Sequence, residues 1–355
     1  LAALRMAVRE LMRRHEALRT VIAGDEQRVL CLDQLPDAGL TLTDLSLLNP
    51  ADNAVAAALA VHACRPFDLS RGPLFEAHLL RVAPDEHLLL LKAHHIVVDG
   101  LSLNLVVKEL AELYSATLHG VAANLPEPLQ FREYNQWRAT TKFPKQEAYW
   151  LGQLEGELPV LDLPVDRSEP RVRSFQGGRH SRAVPASLLA RVRALSRAQG
   201  CTDFMTLFAA YALWLHRMCA TDDLLVGMPV AGRNLKGGEQ LVGYCTHLIP
   251  IRSRVRWDQS FAEYLRGIRD TLLQGYQNQD YPFAELINHP AMKTRRGNLI
   301  STVFNLDRPG TAPVMAGLKV NWRSQPIDHT AFALTMNLTE VNDEMVLECD
   351  FSRDL

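Results

Sequence analysis

The sequence predicts an α/β protein built in two halves, and three observations predict it. Strand-like and helix-like segments alternate along the 355 residues. A proline- and glycine-rich stretch, Leu158 to Gly178, divides them near the middle and holds Pro159, Pro164, Pro170, Gly177 and Gly178 among charged residues. Hydrophobic residues make up 47% of the chain, enough for two cores of moderate size.

In the first half, Leu1, Leu4, Val8 and Leu11 recur near the helical period, so residues 1–15 read as an amphipathic helix. Short strands follow at Thr20–Ile22 and Arg28–Cys31, and an alanine-rich helix at 51–63. Leu74–Val82 and His87–Ile96 read as two apolar strands joined by Ala83-Pro84-Asp85-Glu86, a hairpin signal. Ser102 reads as the N-cap of a helix with Leu103, Val106, Val107, Leu110 and Tyr114 on one face. One further helix spans about 130–155, anchored by Tyr134, Trp137 and Trp150. In the second half a strand at 180–184 leads to helices at 186–199 and 203–219, and strands at 224–229 and 247–254 come next. A helix at 258–277 and strands near 300–306, 318–323, 331–340 and 344–351 close the pattern. The similar content of the halves suggests a pseudo-duplicated enzyme with its site between the lobes. Both ends look cut, the first inside a helical pattern and the last inside a strand.

The formal net charge of −2 offers no electrostatic case for nucleic acid or an anionic membrane as partner. No apolar run reaches membrane-span length. The six cysteines (31, 64, 201, 219, 245 and 349) form no CxxC pair and read as reduced thiols of a cytoplasmic protein. P-loop, GxSxG and HExxH patterns are absent.

Chemistry concentrates in His94-His95-Ile96-Val97-Val98-Asp99-Gly100. Histidine handles protons near neutral pH, and a nearby aspartate and a glycine turn are what would hold one in place. On a strand, neighbouring side chains point to opposite faces, so His94 and His95 do not chelate a metal together. One is expected to face the core and the other a cleft. Asp99 lies close enough to shape the turn, through hydrogen bonds or a buried ion pair.

This heptad resembles the HHxxxDG signature of condensation domains from nonribosomal peptide synthetases, and other segments resemble that family's motifs in order. These are Arg14-His15-Glu16-Ala17-Leu18-Arg19-Thr20, Phe67-Asp68-Leu69 with Gly72-Pro73-Leu74, Tyr134-Asn135-Gln136-Trp137 and Gly227–Arg233. Asn278–Phe283 and Phe304-Asn305 complete the series. The resemblance implies two chloramphenicol-acetyltransferase-like lobes in a pseudo-dimeric V around a central tunnel. Its lobes would be 1–163, lacking the family's first motif, and 180–355, with 164–179 as the crossover linker. It implies amide-bond formation between a donor acyl thioester and the amine of an acceptor aminoacyl thioester. Both substrates would arrive on phosphopantetheine arms of upstream and downstream carrier proteins, beside adenylation or ketosynthase modules. No cofactor is implied.

Within that frame His95 is the expected catalytic residue, as general base or as a group that orients the amine and stabilises charge. Positioning with electrostatics is favoured over obligatory deprotonation. Gly100 would keep the turn open and present a backbone N–H to the oxyanion. His94 and Asp99 read as structural, with Arg233 the first choice and Arg19 the second as the partner of Asp99. Ser301, Asn305 and His247 are candidates for lining the tunnel. His247 departs from the family's usual segment, where this chain reads Val242–Pro250, and a purely structural histidine is the alternative. The competing functions are an epimerization domain of the same superfamily, a silent carrier-docking module, and a free-standing acyltransferase using coenzyme A.

Overall fold

The computed structural model describes residues 1–35, 39–46, 54–292, 299–308, 310, 312–322, 329–341 and 344–355. The chain divides into two units. The first comprises Leu1–Thr141, Arg233–Cys245 and Thr311–Arg323, and the second Lys142–Gly232, Thr246–Gly310 and Ser324–Leu355.

In the first unit, helix α1 (Ala2–Arg14) buries Leu4, Ala7, Val8 and Leu11, the i, i+3, i+4, i+7 stripe of an amphipathic helix. Strands β1 (Thr20–Ala23) and β2 (Glu26–Val29) form a hairpin. Strand β3 (Leu40–Asp44), which no sequence signal marked, pairs in parallel with β4 (Phe75–Arg81). Strand β5 (His87–Ala93) returns antiparallel to β4. Helix α2 (Ala54–Cys64) precedes the hairpin, and α3 (Gly100–His119) follows it. Leu11, Leu18, Leu40, Leu74, Phe75 and Val106 are fully buried in one core, each such side chain stabilising the fold by ~1.5–3 kcal/mol.

The helix expected over 130–155 is two helices, α4 (Phe131–Thr140) and α5 (Pro144–Gln153). Pro144 has no N–H and disfavours helical backbone at Phe143 before it, so the first helix ends and a second starts with proline in its first turn. The first unit's opening stretch ends at Thr141, at this break. Trp150 and Leu154 are buried in the second unit's core, which carries residues 142–163 with them.

The second unit holds a six-stranded mixed sheet in the order β6-β11-β10-β9-β7-β8. Its strands are β6 (Gly177–Val184), β7 (Asp223–Val230), β8 (His247–Arg254), β9 (Thr302–Asp307), β10 (Leu334–Val341) and β11 (Glu344–Ser352). Strand β6 starts inside the expected linker, because Gly177 and Gly178 already pair with Ser352 and Phe351. Helices α6 (Ala186–Ala198), α7 (Asp203–Cys219) and α8 (Phe261–Gln277) supply apolar side chains to the core around Phe208, Leu265 and Phe304. Helix α8 starts three residues later than expected because Ser260 caps it, accepting from the Glu263 N–H in a capping box. A short helix α9 (Phe283–Asn288) was not expected, and residues 318–322 form no strand; position 323 of that expected strand lies outside the described residues. Among the described residues the two units carry sheets of unequal size, so their likeness is one of alternating elements and not of strand count. No helix among the described residues is long and apolar enough to cross a membrane.

Candidate active site

Strand β5 ends at Ala93, so His94 and His95 lie beyond it. Alternation across a strand therefore does not separate them, contrary to the sequence expectation. The ladder makes one last bond, His94 N–H to the Leu74 carbonyl (2.8 Å), and the chain then turns. The turn is closed by Val97 N–H on the His94 carbonyl (3.1 Å), and His94 Nδ1 accepts from the Ile96 N–H (3.1 Å). That bond is what takes His94 out of the solvent-facing role. Its ring is half-buried and meets Phe67 edge to face, and burial and the neighbouring His95 lower its pKa.

His95 is exposed, and its Nδ1 lies 3.0 Å from the Val98 carbonyl. A carbonyl only accepts, so Nδ1 carries a proton, and in the neutral imidazole Nε2 is then the nitrogen with the lone pair. The turn thus fixes a tautomer suited to accepting a proton or a hydrogen bond at Nε2. The Tyr244 ring stands against the imidazole at 5.1 Å between centroids and 74° between planes.

Asp99, 2% exposed, is the N-cap of α3, a role the sequence reading gave to Ser102. Its Oδ1 accepts from Ser102 N–H (2.9 Å) and from an Arg233 terminal nitrogen (2.7 Å), and its Oδ2 accepts from Cys245 N–H (3.0 Å). Burial pushes the carboxyl up, but the hydrogen bond and charge of Arg233, with the two backbone donors, outweigh it and hold the pKa below its ordinary value. Ser102, fully buried, uses its whole hydroxyl capacity. Its Oγ donates to the Gly243 carbonyl (2.8 Å) and accepts from Gly243 N–H (2.9 Å) and Arg233 (2.7 Å). A Cβ on Gly243 would overlap the Phe131 ring, so only glycine lets this segment lie so close. Cys245 is buried, and burial pushes its thiol up to about 12, which makes it unreactive.

Of the two arginines considered for Asp99, the structure pairs it with Arg233. Arg19 instead donates to the carbonyls of Met12 (3.1 Å) and Leu30 (2.8 Å), tying the end of α1 to the β1–β2 hairpin. Gly100 begins the 20-residue helix α3, and its N–H has no intrahelical acceptor. A Cβ there would meet nothing within 4 Å, so packing inside the chain does not call for glycine. His94, His95, Asp99, Gly100 and Arg233 all belong to the first unit.

Ser301, Asn305 and His247 belong to the second unit and have partners there. His247 Nε2 lies 2.6 Å from the Gln279 carbonyl, Asn305 donates to Asp307 Oδ1 (2.9 Å), and the Ser301 carbonyl accepts from Ala333 N–H (3.1 Å). Each contact serves the fold of that unit. Sequence reasoning missed the roles of Ser102, Gly243 and Tyr244. The first is a serine three residues past a capping aspartate, a legible capping pattern, whereas the other two lie too far along the chain for any spacing to reveal them.

Comparison with known proteins places this geometry in context. The family model described as "Condensation domain" matches residues 1–355. The chain is 35% identical over 361 residues to a plipastatin synthase of Bacillus subtilis (strain 168), covering 98% of this chain and 14% of that protein. It is 33% identical to tyrocidine synthase 3 of Brevibacillus parabrevis, over 99% of this chain and 5% of that one. Among solved structures, the X-domain from teicoplanin biosynthesis superposes with a TM-score of 0.86 at 24% identity, covering 100% of this chain and 82% of that one. The first condensation domain of the calcium-dependent antibiotic synthetase gives 0.79 at 22%, covering 100% and 83%.

Proposed function

Because the chain belongs to the condensation-domain family, we propose that it forms an amide bond between two carrier-bound substrates, with His95 acting at the acceptor amine. The amine nitrogen adds to the donor thioester carbonyl, the tetrahedral intermediate collapses, and the carbon–sulfur bond breaks. The products are the amide and the free thiol of the donor arm, which takes up the proton that the amine gives away. The observation that carries the reading is the tautomer of His95. With Nδ1–H bonded to Val98, Nε2 is the atom left to accept a hydrogen bond from the amine and aim its lone pair. An α-amino group has a pKa near 7.7–8.0, so much of it is neutral near pH 8, and orienting it suffices without full deprotonation. Thioesters are activated acyl donors.

The start of α3 supports the second half of the task. Gly100 N–H sits at the positive end of a 20-residue helix, where developing negative charge on the carbonyl oxygen is favoured. Gly100 is exposed, and nothing lies within 4 Å of where a Cβ would stand. Asp99 and Arg233 hold this turn and helix start together and do not exchange protons with substrate. In this reading donor and acceptor arrive on the phosphopantetheine arms of two carrier proteins, as the resemblance to condensation domains of nonribosomal peptide synthetases implies; the chain spans 14% and 5% of the length of the two synthase relatives.

Mixing an acyl-loaded donor carrier and an aminoacyl-loaded acceptor carrier with the protein is expected to yield the condensed product by mass spectrometry. His95→Ala is expected to lower the rate about 100-fold or more, the scale of a lost positioning group. Exchange of the α-proton without product would point to epimerization. Undiminished product from His95→Ala would overturn the assignment of His95.

A further inference from the structure

We propose that Tyr244 is a positioning residue for His95, and that the Asp99–Arg233–Ser102 cluster governs the histidine through the segment Gly243–Cys245. The proposal rests on the amide-forming reading above and adds to it a residue that touches His95 and no reacting atom.

Three observations meet here. First, the backbone on each side of Tyr244 is fastened to the start of α3. Gly243 gives both its N–H and its carbonyl to Ser102 Oγ, and Cys245 gives its N–H to Asp99 Oδ2. Second, Tyr244 itself is not anchored by burial, since 46% of it is exposed. The clamp therefore fixes where the side chain starts, and the ring's own neighbour fixes where it ends. Third, that neighbour is His95, met edge to face at 5.1 Å, one of the arrangements aromatic pairs prefer.

His95 needs such a neighbour. It is exposed, and the single bond from Nδ1 to Val98 holds its ring. Turning the imidazole over about its Cβ–Cγ bond costs little in the open, because terminal torsions of this kind are broad and two-fold. The flipped ring loses the bond to Val98 and with it the tautomer that leaves Nε2 basic. An aromatic ring packed on the imidazole opposes that flip. In this way a charge cluster that lends His95 no proton sets the fraction of time its Nε2 is ready.

Tyr244→Ala and Tyr244→Phe test the idea. Each is read by steady-state amide formation and by ¹⁵N NMR of the His95 imidazole with no substrate present. Tyr244→Ala is expected to lower kcat by about 3- to 10-fold, the scale of one aromatic pair, with KM within about twofold. Its His95 ¹⁵N shifts are expected to move from the Nδ1–H form toward a mixture of tautomers. Tyr244→Phe keeps the ring and is expected to restore both readouts; equal damage from Phe would transfer the role to the hydroxyl and overturn the proposal. An unchanged His95 spectrum in Tyr244→Ala would also overturn it. Should Tyr244→Ala not fold, Tyr244→Leu replaces it, with the same two expectations. If the unmodified protein forms no amide, the amide-forming reading fails by itself, and the substrate-free spectra still decide whether Tyr244 positions His95.

Discussion

Asp99, the N-cap of helix α3, and Glu109, in the middle of the same helix, are both buried carboxylates, and they are held in opposite ways. Asp99 spends both oxygens, on Arg233, Ser102 N–H and Cys245 N–H, and so joins the start of α3 to residues 134 and 146 positions further along the chain. Glu109, 1% exposed, spends only Oε2, which accepts from His15 Nε2 (2.8 Å) and Arg14 Nε (3.0 Å). Its Oε1 has no hydrogen-bond partner among the described residues. Both partners of Glu109 are neighbours at the end of α1, so the bond joins two helices that the core already packs together. The difference teaches where buried charge is costly to disturb. Removing a charged member leaves the other charge buried and uncompensated, and at Asp99 it also loosens residues 134 and 146 positions away in the chain.

The largest effect that would test this contrast is expected from Arg233→Met. It leaves the Asp99 carboxylate buried without its charged partner, and breaking such a pair costs ~3–5 kcal/mol. Urea unfolding of the variant measures it. Asp99→Asn added to Arg233→Met should recover part of the loss, because the uncompensated charge is gone. A double variant no more stable than the single one would mean that the charge itself is not what the pair neutralises. Glu109→Gln should cost less, about 1–2 kcal/mol, since the amide oxygen still accepts and the Arg14 guanidinium keeps its bond to the Pro126 carbonyl. A loss as large as that of Arg233→Met would erase the distinction between the two sites.

Acid sharpens the same comparison. In both carboxyls burial raises the pKa, and the bonds and charges of their partners outweigh it, leaving each lowered. A depressed folded-state pKa means that the stabilisation is complete above the unfolded value, about 4 for a carboxyl. It is lost as the pH falls from there through the folded value. The melting temperature is therefore expected to hold from pH 7 toward 5 and to drop below 4. Arg233→Met should flatten that drop, since Asp99 then has little depression left to lose. Parallel melting curves for the variant and the unmodified protein between pH 5 and 3 would contradict this.

The sequence made legible what is local or periodic. The α1 stripe, the β4–β5 hairpin and the two long helices α6 and α7 follow from spacing alone, and the resemblance of several ordered motifs supplied the family. Tertiary geometry decided the rest. Strand β3 pairs in parallel with β4, and parallel partners lie far apart in sequence, so no short pattern announces them. Proline at 144 split a helix whose apolar spacing ran on across the break. His94 and His95 read as strand residues because the apolar run continues to Ile96, yet the chain turns there, with Val97 N–H on the His94 carbonyl and Ile96 N–H on His94 Nδ1. The Asp99–Arg233 pair was foreseen among two arginines, but the clamp on residues 243–245 was not. It depends on backbone groups, which every residue has and no sequence distinguishes.

The smallest effect on stability is expected where the effect on chemistry is greatest. His95 is exposed and among the described residues its side chain makes one hydrogen bond, to Val98, so His95→Ala should cost about 1 kcal/mol or less. Against the several kcal/mol expected for Arg233→Met, that sets apart a residue kept for a reaction from one kept for the fold. Thermal unfolding of the two variants side by side measures the gap. If His95→Ala destabilised the protein as strongly as Arg233→Met, the imidazole would be part of the scaffold that holds the turn. Loss of activity in that variant would then report unfolding, and the case for His95 would fall back on the bond geometry alone.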